Sequence, residues 1–270
     1  LRQCATTIPQ DVEDALRQCA ENAEGMAADV MASILQNIDE ARSGGLPLCQ
    51  DTGTPVFYVS APNGMDLSEV RASIGEAVIG ATSSVPLRPN SVDPLTGANP
   101  GDNTGEGLPL MHFERWGNKT LRIEVLLKGG GSENLTRLYR LPDQRIGAGR
   151  DINGIGRCVL DSVHAAQGSG CPPYFLGIAA GGMADSCLAA SKRQLLRNID
   201  DTNPDAMLES FEADMLDRAN ELGIGPAGLG GFPTLLSAKA CAMARHPASF
   251  FVGISFSCWA LRRGSIEVDP

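Results

Sequence analysis

The chain has 270 residues, 43% hydrophobic and 20% charged, with eight cysteines and a formal net charge of −10. That length holds one large domain or two small ones, with enough apolar residues for a core that is mostly aliphatic, since aromatics are only 5%. A diffuse acidic excess disfavours nucleic acid and anionic membrane as partners, and no apolar run reaches the roughly 18 residues of a membrane span.

In chain order, residues 10–42 carry apolar positions at helical spacing (Val12, Leu16, Cys19, Ala23, Met26, Val30, Ile34, Ile38) and stop at Gly44-Gly45, which predicts a helical segment. Residues 56–59 read as a short strand, and Asp66 with Glu69 makes a capping-box-like start for a helix to about Ala81. The stretch PLRPNSVDPLTGANPGDNTGEGLP is too rich in proline and glycine for regular structure, and a loop of that length is more often functional than idle. TLRIEVLLKGGGSEN is a strand ending in three glycines. Residues 151–167 and 183–197 read as helices, 174–179 as a strand, 204–222 as a polar-faced helix and 250–257 as a closing strand. With no repeat and no linker, the expectation is one α/β domain over 1–270, mixed sheet strands with surrounding helices, on which the helical segment 1–44 packs.

An even number of cysteines suggests a disulfide framework only in a small secreted protein. This chain is large, and its start lacks the signal-peptide pattern, so a reducing, cytoplasmic location is expected and the sequons at Asn118 and Asn134 are chance matches. Cys49 (PLCQDTG), Cys171 (GSGCPPY) and Cys258 (SFSCWALRRG) each adjoin a predicted strand end beside glycine, proline or polar residues. Cys19, Cys158, Cys187 and Cys241 fall in helical patterns, where burial explains them. The wide gaps between the first three match no zinc-ribbon or ferredoxin spacing. Spacing alone leaves two readings open, thiolate ligands of a metal or cluster, or three buried thiols.

Gly129-Gly130-Gly131-Ser132 after a strand is either an anion-binding concavity of backbone N–H groups or a tight turn. GIGPAG (223–228) matches the dinucleotide pattern formally, but it follows a helix and Pro226 removes a donor, so it reads as a helix stop. His246 and Arg88 sit in loops, whereas His112 and His164 fall within element patterns and are structural.

Seven segments in order, LCQDTG, LRPNSVDPLTGANPGDNTG, KGGGSEN, CPPYFLGIAAGG, GIGPAGLGG, RHPAS and CWALRR, resemble the catalytic α region of the iron–sulfur hydro-lyases, the class I fumarases and the α subunit of L-tartrate dehydratase. They span residues 49–263, nearly everything beyond the first helical segment.

The resemblance implies the α-type catalytic fold and a 4Fe–4S cluster held by Cys49, Cys171 and Cys258, with one iron left open as a Lewis acid. It implies Asp51 as an acid/base group and His246 as the second such group or a substrate-orienting one. Gln50 would orient substrate, Arg88 would clamp a carboxylate by a bidentate fork, and Gly130 and Gly131 would offer N–H groups to the other end. The implied reaction is reversible hydration of a four-carbon dicarboxylic acid, fumarate and L-malate favoured. KGGGSEN is closer to fumarase α chains, whereas CWALRRG after ARHPAS is closer to tartrate dehydratase, and mesaconate is within the family's range. The family's β region resembles a swivelling lid, so a separate β subunit is expected, in an α homodimer or an α2β2 assembly. The rivals are a non-catalytic cluster scaffold that senses iron or redox state, and a structural subunit with buried cysteines. A sensor needs no dicarboxylate clamp, so Asp51, Arg88 and the triple glycine favour the enzyme.

Overall fold

The computed structural model describes residues 1–269 as a mixed α/β protein with two four-stranded mixed sheets and surrounding helices. The chain divides into two compact units. The first takes residues 1–9, 36–130 and the stretch from Ala260, and the second takes 10–35 and 131–259.

The first unit contains the short helix α1 (Arg2–Thr6), β1 (Thr54–Pro62), α4 (Leu67–Ser84), β2 (Leu110–Trp116), β3 (Leu121–Lys128) and β8 (Arg263–Val268). Its sheet order is β2-β1-β3-β8, with β1 parallel to β2 and antiparallel to β3, and β8 antiparallel to β3. The run VFYVSA keeps β1 buried on both faces, as a central strand requires. Helix α4 starts where the sequence predicts, with Oδ1 of Asp66 accepting the N–H of Ser68 at 2.8 Å. Its apolar stripe of Val70, Ile74, Val78 and Ala81 packs with Phe57, Val59, Leu121 and Val125 into this unit's core. His112 on β2 stacks on Tyr58, ring centroids 4.8 Å apart, in keeping with a structural role.

The predicted 10–42 helix is in fact two helices, α2 (Gln10–Glu21) and α3 (Gly25–Gly44). The break falls at Asn22, Ala23 and Glu24 before Gly25, whose φ of 55° is left-handed and ends helical propagation.

The second unit holds α2, the single-turn helix α5 (Gly130–Glu133) beyond its first residue, β4 (Arg137–Arg140), α6 (Ile152–Ala166), β5 (Tyr174–Ala180), α7 (Ala184–Gln194), α8 (Ala206–Asn220), β6 (Leu235–Ala242) and β7 (Phe251–Ser257). The sheet order is β4-β7-β5-β6, antiparallel except for the β5–β6 pair. All seven residues of β5 are buried, and Tyr174, Leu176, Ile178 and Ala180 pack with α6 and α8 side chains such as Val159, Val163, Phe211 and Met215. Cys241 lies on β6 and not on a helix. GIGPAG forms a glycine-rich turn around a 3-10 segment at Pro226–Gly228, as expected of a helix stop.

Candidate active site

In the first unit the LCQDTG stretch is an irregular loop entering β1. Its start is pinned by Leu48, whose N–H donates to Ala5 O at 3.0 Å and whose carbonyl accepts from Asn37 Nδ2 at 2.9 Å. Cys49 beyond it is half-buried and Gln50 is exposed. Asp51 is held at three points. Its Oδ1 accepts the N–H of Gly53 at 3.0 Å, its Oδ2 accepts the N–H of Gly130 at 2.7 Å, and its main-chain carbonyl accepts Nη1 of Arg262 at 2.6 Å. Gly53 has φ 80°, and a Cβ there would meet the carbonyl carbon of Leu127 at 2.7 Å. Only glycine lets this loop lie against the end of β3.

The next residue organises the long loop. Thr52, 1% exposed, accepts at Oγ1 from Arg88 N (2.9 Å) and from Asn90 Nδ2 (3.3 Å). Asn90 Nδ2 also donates to Gly53 O at 3.0 Å. Buried Asn103 completes the knot, with Nδ2 donating to Arg88 O at 3.0 Å and Oδ1 accepting Asn90 N at 2.7 Å. The backbone of Arg88 is thus fixed from both sides, while its side chain is exposed and forms no ion pair among the described residues. A fixed backbone under an unpaired guanidinium suits capture of a carboxylate.

In the second unit Cys171 is exposed, with φ 58°, just ahead of β5. Cys258 follows β7 at the same end of the sheet, because Phe175 pairs with Ser257. The N–H of Trp259 donates to the carbonyl of Cys171 at 3.2 Å, which ties the two cysteine segments together. Tyr174 supports this corner, its hydroxyl donating to Gln167 O at 2.7 Å and accepting Gly170 N at 3.1 Å. Burial pushes its phenol up to about 12, with the neighbouring charges of Cys171 and Cys258 adding to the rise. His246 is exposed on the loop after β6, and its Nδ1 accepts the N–H of Ala248 at 3.0 Å. That bond places the ring proton of a neutral imidazole on Nε2. Gly131 is exposed in the turn of α5, behind which Lys192 Nζ bonds Glu133 Oε1 at 2.6 Å.

The other five thiols lie within helices or, for Cys241, a strand. Burial pushes Cys19 and Cys187 up to about 11 and Cys158 to about 12, and it raises Cys4 and Cys241 as well. Such thiols stay protonated and act as packing groups. Among the described residues, no three His, Cys, Asp or Glu side chains gather closely enough to hold a single metal ion. Sequence reasoning singled out Gln50, Asp51, Arg88 and Gly130, which the first unit holds, and Cys171 with Cys258, which the second unit brings together. It missed Thr52, Asn90, Asn103, Tyr174 and Arg262. All five lie in or beside the quoted motifs, but their roles arise from hydrogen bonds that no local pattern announces, between distant segments for all but Tyr174.

A profile described as Fumarate hydratase (Fumerase) matches residues 1–267. The chain is 44% identical over 273 residues to "Putative fumarate hydratase class I" of Geobacillus stearothermophilus, an alignment covering 99% of this chain and 53% of that relative. It is 36% identical over 268 residues to "Putative L(+)-tartrate dehydratase subunit alpha" of Methanocaldococcus jannaschii, covering 97% and 92%. It is 30% identical over 267 residues to "L(+)-tartrate dehydratase subunit alpha" of Escherichia coli K12, covering 98% and 86%. The chain thus spans about half the length of the Geobacillus relative and most of the other two. A profile match over nearly every residue, joined to these relatives, means that the chain belongs to the fumarate hydratase (Fumerase) family.

Proposed function

We propose that this chain is the α-type part of a hydro-lyase that adds water to, or removes it from, a four-carbon dicarboxylic acid, with fumarate and L-malate as the favoured pair. The observation that carries the reading is Asp51, a carboxylate fixed at both oxygens and at its carbonyl, two residues from Cys49.

In this reading Cys49, Cys171 and Cys258 each supply one thiolate to a 4Fe–4S cluster. The donor set suits it, since these three cysteines lie in loops at strand ends while the other five lie within helices or a strand, and the N–H of Trp259, next to Cys258, already bonds the carbonyl of Cys171. When bound, the cluster supplies a Lewis acid that makes a hydroxyl a better leaving group. Asp51 exchanges a proton at Oδ1 or Oδ2 with the departing or entering water. His246, exposed and with Nδ1 engaged by Ala248 N–H, is the second proton-handling or orienting group. Arg88 grips one carboxylate of the substrate by its fork. Gly131 gives its backbone N–H to the other carboxylate, while the N–H of Gly130 holds Asp51 Oδ2, and Gln50 orients the carbon chain between them.

A separate β subunit completes the enzyme, in an α homodimer or an α2β2 assembly, and the two tartrate dehydratase relatives support this by being named subunit alpha. A reducing cytoplasm suits the exposed thiol ligand. No described helix is long and apolar enough to cross a membrane. The second reading, an α subunit converting L-tartrate to oxaloacetate, is favoured by coverage, because the chain matches 92% and 86% of those subunits. Identity favours fumarate, at 44% against 36% and 30%.

The test is anaerobic preparation with the β partner, followed by initial rates on fumarate, L-malate, L-tartrate and mesaconate. Interconversion of fumarate and malate, lost in air together with a brown colour, is expected. Turnover of L-tartrate alone moves the assignment to the second reading. Full rates without iron overturn the hydro-lyase mechanism.

A further inference from the structure

Arg262 is 1% exposed, the largest of the fully buried side chains. It lies four residues beyond Cys258 and directly before β8, where its own carbonyl accepts the N–H of Leu127 at 2.9 Å. Among the described residues no carboxylate forms an ion pair with its guanidinium, and its Nε has no hydrogen-bond partner. A buried charge in that state costs stability, and an apolar side chain of similar volume would serve folding better. What the guanidinium does hold is one group, the main-chain carbonyl of Asp51, at 2.6 Å.

That contact completes a clamp. Gly53 and Gly130 fix the two carboxylate oxygens from the loop itself and from the chain after β3, while Arg262 fixes the backbone from the segment entering β8. Without it the Asp51 peptide has no anchor from that side, and the carboxylate shifts with it. We propose that Arg262 is a positioning residue for Asp51, acting through the main chain and touching no substrate. The inference rests on the reading of Asp51 as the acid/base group of the hydro-lyase. Displacement of a reacting group by about 1 Å costs on the order of 100-fold in rate. Substrate anchoring at Arg88 is less affected, because Asn103 holds the Arg88 carbonyl without any contact to Arg262.

The experiment uses the whole enzyme with its cluster rebuilt anaerobically, and compares Arg262→Gln, Arg262→Lys, Arg262→Ala, Asp51→Asn and the R262Q/D51N double variant. The expected result is a roughly 10- to 100-fold fall in kcat for R262Q, with KM within about threefold and iron per chain unchanged. R262K recovers part of the rate, and millimolar guanidinium restores turnover to R262A. The double variant is no slower than D51N alone, because both changes strike one group. If D51N is inactive while R262Q and R262A keep the full rate, the positioning role is overturned. It is also overturned if R262Q loses iron in proportion to rate and neither R262K nor guanidinium recovers kcat, which marks a purely structural arginine. A D51N enzyme with undiminished kcat overturns the reading of Asp51 itself, a different outcome from either.

Discussion

The N–H of Trp259 reaches the carbonyl of Cys171 at 3.2 Å, which sets Cys258 and Cys171 side by side at one end of a sheet although they are far apart in the chain. The antiparallel pairing of β5 with β7 produces this, since one strand begins where the other ends. Under the proposed function the contact marks Cys171 and Cys258 as ligands, in contrast to the cysteines inside helices and strands. Cys171→Ser and Cys258→Ser are each expected to abolish iron retention and turnover, measured by iron per chain and visible absorbance. Cys187→Ala, at a fully buried position on α7, should keep the iron of the parent and lose about 1 kcal/mol of stability. Equal iron loss in all three variants would sink the division.

Tyr174 is the second support of that corner. Its hydroxyl is the partner of Gly170 N, next to Cys171, and Tyr174→Phe leaves that buried N–H without an acceptor. A lost partner of this kind costs about 1–3 kcal/mol. The expected outcome is faster loss of iron to a chelator with the fold intact by circular dichroism. Chelation kinetics identical to the parent would show that the hydroxyl does not steady the cysteine.

Gly53 makes the Asp51 loop possible by a backbone conformation and a close approach that a side chain forbids. Gly53→Ala adds a left-handed alanine and a Cβ 2.7 Å from the Leu127 carbonyl carbon. Strain of the two kinds together predicts a loss of about 2 kcal/mol or more. Urea unfolding measures it, and a change under about 0.5 kcal/mol would refute the close approach.

Asp201 gives folding a pH dependence. Burial pushes its carboxyl up, but hydrogen bonds from Arg197 at 2.8 Å and Lys239 at 2.6 Å outweigh burial and hold it below the usual carboxylate range. A folded value below the unfolded one stabilises the protein above the unfolded pKa of about 3.9, and that gain is lost as pH falls toward the folded value. The urea midpoint of the parent should therefore drop with pH below about 4. Asp201→Asn should start lower at neutral pH and show a shallower drop. Parallel acid profiles would contradict the assignment.

Much of the site was legible before any contact was known. Cys49, Cys171 and Cys258 stood out because each sits at a strand end among glycine, proline or polar residues, and they lie in loops ahead of β1, ahead of β5 and after β7. Helix starts at Asp66 and Asp151 were readable because a cap is a local hydrogen bond between near neighbours. Strands β1, β5 and β7 were readable because burial on both faces leaves unbroken apolar runs.

β2 and β8, by contrast, went unseen, because both are edge strands of the first sheet, largely unburied and without clear alternation. β6 was hidden by its composition. LLSAKACA is rich in alanine, a strong helix former, and it becomes a strand only because β5 and the core around it demand one. The sequence by itself determined which cysteines stand at strand ends beside glycine, proline or polar residues, since neighbours are local properties, while the chemistry was implied by the resemblance of seven segments to a family. Only the tertiary structure decided that Asp51 is gripped at three points, that Thr52 and Asn103 brace Arg88, and that Arg262 is buried against the Asp51 carbonyl. Those are pairings between segments as much as 211 residues apart, and their geometry exists only once the sheets have formed.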